Sequence, residues 1–277
     1  MNTVYKNMDR KALDAAYNNS LAVANSAELM AEFGRESALM RLAPGARLGL
    51  RYGPAERNLI DYFPVDRPEP CPLLLFIHGG YWQMRSKEDF SFLAKGPQAH
   101  GMHVAMVGYT LAPEATLAQI TEEIRASIRW LGANAGKFGG DPQNIVLAGW
   151  SAGAHLTALC MDEPGVVGGL AISGIYDLEP VRLSYLNAKL GLSQADVKLL
   201  SPLMQPLSPR PLVVAYGASE LPELQAQSKA FFDLRNAASR PSQLMALPGL
   251  NHFTILPELA NPEGALAMAA IQLATKK

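Results

Sequence analysis

Gly149-Trp150-Ser151-Ala152-Gly153 is the stretch on which the reading of this chain turns. Just before it, Asn144-Ile145-Val146-Leu147-Ala148 is a short apolar run of the kind that forms a buried strand, and residues 152–161 after it are compatible with helix. A serine between glycines at a strand-to-helix turn has the form of a nucleophile elbow. The glycines have a steric task, because the serine backbone is strained there and side chains two residues to either side would collide with the adjoining strand and helix. The hydroxyl is expected to stand clear at the C-terminal edge of a sheet. A chance Gly-x-Ser-x-Gly in a loop is the competing reading, and the strand and helix patterns on its flanks weigh against it.

Outward from the elbow, short apolar runs alternate with longer helical patterns, which is the rhythm of a parallel sheet covered by helices on both faces. Strands are expected at 73–77, 103–107, 144–148, 166–172, 211–216 and 243–247, and helices at 90–99, 117–134, 152–161, 223–238 and 263–275. Leu48–Tyr52 and Asn58–Phe63 form an opening hairpin around the Gly53-Pro54 turn, completing a sheet of about eight strands. The first 45 residues read as an N-terminal helical arm, with Ser26 as a helix cap and Leu29, Met30, Phe33 and Met40 as an apolar stripe. Residues 178–209 are too long for an ordinary loop, and with helix-like pieces at 184–190 and 194–200 they read as a lid insertion. The expectation is one α/β domain over 1–277.

Composition excludes several function classes. The chain has 277 residues, 49% hydrophobic and 18% charged, with a formal net charge of -1, so it lacks the clustered cations that a nucleic-acid surface needs. Cys71 and Cys160 match no paired metal spacing or disulfide framework, and read as buried thiols in a reducing compartment. The charged N-terminal stretch Met1–Lys11 is unlike a signal peptide, and no apolar run approaches the 20 residues of a membrane span. A cytoplasmic protein acting on a small molecule is expected, with a homodimer left open.

A serine hydroxyl is a weak nucleophile until a base takes its proton, so a histidine should follow it. His252 sits between the last strand candidate and the C-terminal helix, where the base of a Ser, acid, His order belongs. His78 reads as a loop brace, His155 as a packed or solvent-facing helix residue, and His100 and His103 as surface or capping groups. The acid that orients the imidazole is Glu220, after the strand 211–216, with Asp177, after the preceding strand, as its competitor. Glu223 reads as a helix-start carboxylate and Asp141 as turn chemistry. His78-Gly79-Gly80-Tyr81-Trp82 follows a strand, and the backbone N–H groups of Gly80 and Tyr81, with that of Ala152, are the expected oxyanion donors. Trp82, Trp150 and Phe253 are candidates for the walls of a substrate pocket, with core packing as the alternative.

With these residues in view, the chain resembles the α/β-hydrolase superfamily, in the branch of kynurenine formamidases and hormone-sensitive-lipase-like esterases. The resemblance rests on the elbow, on His78–Trp82 as a His-Gly-Gly-x-Trp segment, on Tyr109–Glu114, and on Gly140-Asp141-Pro142 before the elbow strand. Lipase-like esterases more often carry a third glycine where Tyr81 stands. The family acid is usually Asp rather than Glu220, and Trp150 stands where lipase-like relatives have Asp and formamidases often have His. The resemblance implies an α/β-hydrolase fold and a serine hydrolase without metal or organic cofactor. An arylformamidase is expected first, with a carboxylesterase for short esters second, and a non-catalytic binding protein as the rival from another class.

Overall fold

The apolar runs become the inner strands of one eight-stranded sheet in the computed structural model, which describes residues 3–67 and 70–275. The first two residues of the N-terminal stretch read above lie outside the described residues. Three helices lead the chain: α1 (Arg10–Ala16), α2 (Asn19–Ala22) and α3 (Ser26–Met40). Then come β1 (Arg47–Arg51), β2 (Leu59–Phe63), β3 (Cys71–Ile77), a 3-10 segment Lys87–Ala94, α4 (Lys95–Ala99), β4 (His103–Val107) and α5 (Leu117–Asn134). The middle of the chain holds β5 (Gly140–Trp150), α6 (Ala152–Cys160), β6 (Val166–Ile172), α7 (Glu179–Leu183), α8 (Asn187–Leu190) and α9 (Gln194–Leu200). It closes with β7 (Leu212–Gly217), α10 (Pro222–Ala237), β8 (Ser242–Leu247), α11 (Pro257–Ala260) and α12 (Ala265–Thr275).

The strand order is β1-β2-β4-β3-β5-β6-β7-β8, antiparallel where β2 meets β1 and β4 and parallel elsewhere. Central β3 explains why its sequence is continuously apolar. Leu73, Leu75 and Ile77 pack with Ile120, Ile124 and Ile128 of α5, whereas Leu74 and Phe76 face the opposite core with Phe90, Leu259, Leu266 and Leu273. Alternate side chains thus enter different cores, and both are apolar. Helix α5 starts on a capping box between Thr116 and Gln119, and its isoleucines recur every four residues on the buried face.

The structure departs from the sequence reading in places that share one cause: tertiary partners outvote local pattern. Strand β5 begins at Gly140 rather than Asn144, because Gly140 pairs with Cys71, whose N–H also bonds to the Gly139 carbonyl at 2.9 Å. Asp141 still does turn chemistry, its carboxylate accepting the N–H of Gln143 at 2.9 Å. The expected helix 90–99 is a 3-10 segment followed by the short α4; Phe90, Phe92, Leu93 and Ala94 are all buried, and Phe92 stacks on Phe33 of α3 at 4.8 Å. Ser26 does not cap α3: it is the first helical residue, Asn25 occupies the cap position, and the Ser26 hydroxyl donates to the Ser20 carbonyl. His103 is not a surface group but the buried first residue of β4, accepting the Val65 N–H at 3.0 Å and bonding to the Gly139 carbonyl.

The arm is fastened to the sheet by a buried ionic cluster in which fully buried Asp61 of β2 meets Lys87 at 2.8 Å and Arg41, just past α3. The 178–209 segment carries α7, α8 and α9 and buries Leu178, Val181, Leu186, Leu190, Leu192 and Val197 in the α5-side core. Among the described residues no helix is long and apolar enough to cross a membrane. Cys160 is fully buried, and burial pushes its thiol up to about 12.

Candidate active site

Ser151 stands in the turn between β5 and α6 at φ 57° and ψ -116°, a strained backbone for a residue with a side chain, and its N–H bonds to the Ile172 carbonyl at 2.8 Å. The flanking glycines are sterically obligatory. A Cβ on Gly149 would lie 2.2 Å from the Gly153 carbonyl oxygen, and one on Gly153 only 1.9 Å from that of Ile77. Gly153→Ala is therefore expected to cost about 3 kcal/mol or more, lowering Tm by about 6 °C or more in a chain of this size. Gly132→Ala, on α5 with nothing within 4 Å of the added carbon, is expected to raise Tm slightly. Thermal melts of the two variants check both signs.

Glu220, on the loop after β7, is buried, and its carboxylate accepts from Gly217 N at 2.6 Å and from Ser173 Oγ at 2.6 Å. Its other oxygen meets His252 Nδ1 at 3.0 Å. His252 is set by an Asx turn in which the Asn251 side chain accepts the N–H groups of Phe253 and Thr254 at 2.9 and 3.0 Å. Trp150 donates its indole N–H to the His252 carbonyl at 2.8 Å and lies 4.9 Å from the imidazole, ring to ring. Asp177 stands elsewhere: it accepts the Glu179 N–H at the start of α7 and the Tyr5 hydroxyl, so it ties the N-terminus to the insertion. The sequence reading did not find Ser173. Its signal is faint, a serine just past the end of the neighbouring strand β6.

Gly80 adopts φ 110°, where a Cβ would come within 2.3 Å of the Met84 carbonyl oxygen. The Gly80 carbonyl accepts the N–H groups of Gln83 and Met84, while the N–H groups of Gly80 and Tyr81 make no hydrogen bond within the described residues. Ala152 is the first residue of α6, so its N–H has no partner within the helix. Arg57 braces this loop from behind, donating to the carbonyls of Arg85 at 2.6 Å and Tyr109 at 2.9 Å. A hydroxyl, an imidazole, a carboxylate and unpaired N–H groups are the parts that acyl transfer needs.

Two further histidines are structural. His78 is fully buried, stacked 4.2 Å from Tyr109, with Nδ1 against the Gly79 carbonyl; His155 is fully buried with Nε2 on the Leu200 carbonyl. Burial pushes both rings from the usual 6.5 down to about 4. A histidine with a depressed folded pKa takes its proton more readily when unfolded, so stability is full above about 6.5 and is lost as pH falls toward 4. Tm at pH 4.5 is expected to lie about 5 °C or more below that at pH 7. His155→Gln, which keeps a donor for the Leu200 carbonyl, should flatten part of that slope in melts across the range.

Ser151 and His252 border one small cavity of about 30 Å³, together with Gly80, Trp150 and Phe253. Trp82 belongs instead to the α5-side core, fully buried and edge-on to His155 at 4.9 Å, because its backbone turns at φ 58° after Tyr81. Tyr81, Met84 and Arg85 from the glycine loop, and Asn19 and Ser20 from the arm, complete the border; of these only Tyr81 was named from the sequence, as an oxyanion donor. Asn19 and His252 also border a neighbouring cavity of about 150 Å³. Between the two extra segments, it is thus the arm that reaches Ser151. Larger cavities of about 420 Å³ beside Glu114 and about 210 Å³ beside Arg125 hold none of these groups. Among the described residues no group of three or more His, Cys, Asp or Glu is placed to hold a metal ion.

Over residues 60–163 the sequence matches the BD-FAE family. The chain is 28% identical over 240 residues to a kynurenine formamidase of Danio rerio, covering 81% of this chain and 80% of that protein. Among solved structures, a Silicibacter sp. TM1040 protein provisionally described as a thioesterase is 30% identical with a TM-score of 0.84, covering 94% of this chain and 98% of the other. An esterase of Pyrobaculum calidifontis, 20% identical over 90% of this chain and 93% of its own, shares the fold with a TM-score of 0.71.

Proposed function

The chain belongs to the α/β-hydrolase superfamily, in the branch of kynurenine formamidases and hormone-sensitive-lipase-like esterases, and is a hydrolase with formamidase or esterase activity; from that premise we propose a serine hydrolase of small formamides, foremost N-formyl aryl amines such as N-formylkynurenine. Ser151 Oγ attacks the formyl carbon as His252 takes its proton, and Glu220 holds the imidazole in register and balances its charge. The N–H groups of Gly80, Tyr81 and Ala152 receive the oxyanion. His252 then hands its proton to the leaving nitrogen, and a water activated by the same imidazole releases formate.

The observation that carries the reading is the 3.0 Å contact between His252 Nδ1 and a Glu220 carboxylate already held by Ser173 and Gly217, with His252 on the same cavity as Ser151. Cavity size favours a small acyl group, since the space beside Ser151 is about 30 Å³ against about 150 to 420 Å³ for the other cavities. Arg85 on its border suits a leaving group that bears a carboxylate, as a formylated amino acid does.

The test compares kcat/KM for N-formylkynurenine with that for p-nitrophenyl acetate and butyrate. Formamide turnover is expected, with butyrate at least about tenfold below acetate because its chain overfills the cavity. Undetectable formamide turnover beside fast ester turnover makes the protein a carboxylesterase. Failure of a fluorophosphonate probe to label the native protein leaves a binding protein with this fold.

A further inference from the structure

Asn19, the first residue of α2, is 5% exposed and borders the Ser151 cavity. Its amide orientation is dictated by its neighbours. The Tyr81 hydroxyl donates its one hydrogen to the Tyr17 carbonyl at 2.6 Å, so toward Asn19 it can only accept, and the contact at 3.3 Å places the amide NH2 against Tyr81. The opposite end, Oδ1, is then a carbonyl oxygen that is buried and accepts no hydrogen bond from any described residue. Buried acceptors are nearly always paired, so one left open at a catalytic cavity points to a donor that arrives with the substrate.

Among the described residues, Asn19 and His252 alone border both the 30 and the 150 Å³ cavities, so Asn19 stands on the side of the site where His252 works. We propose that Asn19 Oδ1 accepts the N–H of the scissile amide and so sets a preference for amides over esters; this rests on the serine-hydrolase reading above. When Ser151 Oγ bonds to the carbonyl carbon, the nitrogen loses its conjugation and keeps a single lone pair. That lone pair must face the His252 imidazolium, which gives up its proton as the C–N bond breaks. An acceptor on the N–H turns the nitrogen to this orientation in the transition state. An ester oxygen has two lone pairs and no hydrogen, so it needs no such help and leaves Oδ1 unpaired.

The test uses formanilide and phenyl formate, which differ in N–H against O at the scissile atom, with the native protein, Asn19→Ala and Asn19→Asp. In Asn19→Ala the ratio of kcat/KM for formanilide to that for phenyl formate is expected to fall by about 10- to 100-fold, with phenyl formate kept within about threefold. Asn19→Asp keeps an acceptor in the same frame, with the Tyr81 hydroxyl turning its hydrogen from the Tyr17 carbonyl to the new carboxylate, and is expected to retain most of the ratio, which also serves if alanine costs the arm its fold. Native protein inert toward both compounds removes the hydrolase reading itself. Native protein active on both, with a ratio that Asn19→Ala leaves unmoved or with equal losses on both substrates in the two variants, removes only the role of Asn19.

Discussion

Ser151→Ala is expected to lower kcat/KM on phenyl formate by about 10⁴- to 10⁶-fold, because without the hydroxyl no acyl-enzyme forms and only the oxyanion donors and binding remain. Stability should hardly move: the substitution deletes one oxygen and keeps a Cβ at φ 57°, so the strained turn stays as it is. Paired melts and assays of the purified variant check both halves, and fluorophosphonate labelling supplies a third readout, since Ser151→Ala should take up no probe. Activity within tenfold of the native protein, or undiminished labelling, would overturn the assignment of Ser151 as nucleophile.

The second large effect separates two carboxylates. Glu220→Gln keeps the volume in a buried site but presents an amide where His252 Nδ1 now meets an oxygen at 3.0 Å, so the imidazolium loses its counter-charge and its fixed tautomer. A loss of about 10³- to 10⁴-fold in kcat is expected, with KM little changed. Asp177→Ala should leave kcat/KM within about threefold, because its bonds run to Glu179 N and the Tyr5 hydroxyl, and its cost should show as a lower Tm. Inactivation by the Asp177 change in a folded protein, with Glu220→Gln near native rates, would reverse the assignment.

The parts of the site that follow chain order were legible early. Ser151, Glu220 and His252 each sit just past a strand with a strong apolar signature, β5, β7 and β8, so strand recognition located the loops, and side-chain chemistry then singled out the residues. Trp150 and Phe253, adjacent in sequence to catalytic candidates, do border the cavity. Trp82 was offered on the same ground of adjacency and does not, since a positive φ at Tyr81 and at Trp82 itself turns the indole into the core beside His155. Adjacency in sequence says nothing about which way a strained loop turns its side chains.

What the sequence determined by itself was set by short-range periodicity: a sheet buried on both faces, an elbow that demands glycine, and the order of the residues proposed to carry the chemistry. Tertiary structure alone decided which carboxylate meets His252, that Ser173 braces it, and that Asn19 and Ser20 of the arm border the Ser151 cavity. The physical reason is separation along the chain. Asn19 meets Tyr81 across 62 positions and Ser173 meets Glu220 across 47, and contacts of that span are chosen by how whole elements pack, for which local residue spacing carries no signal.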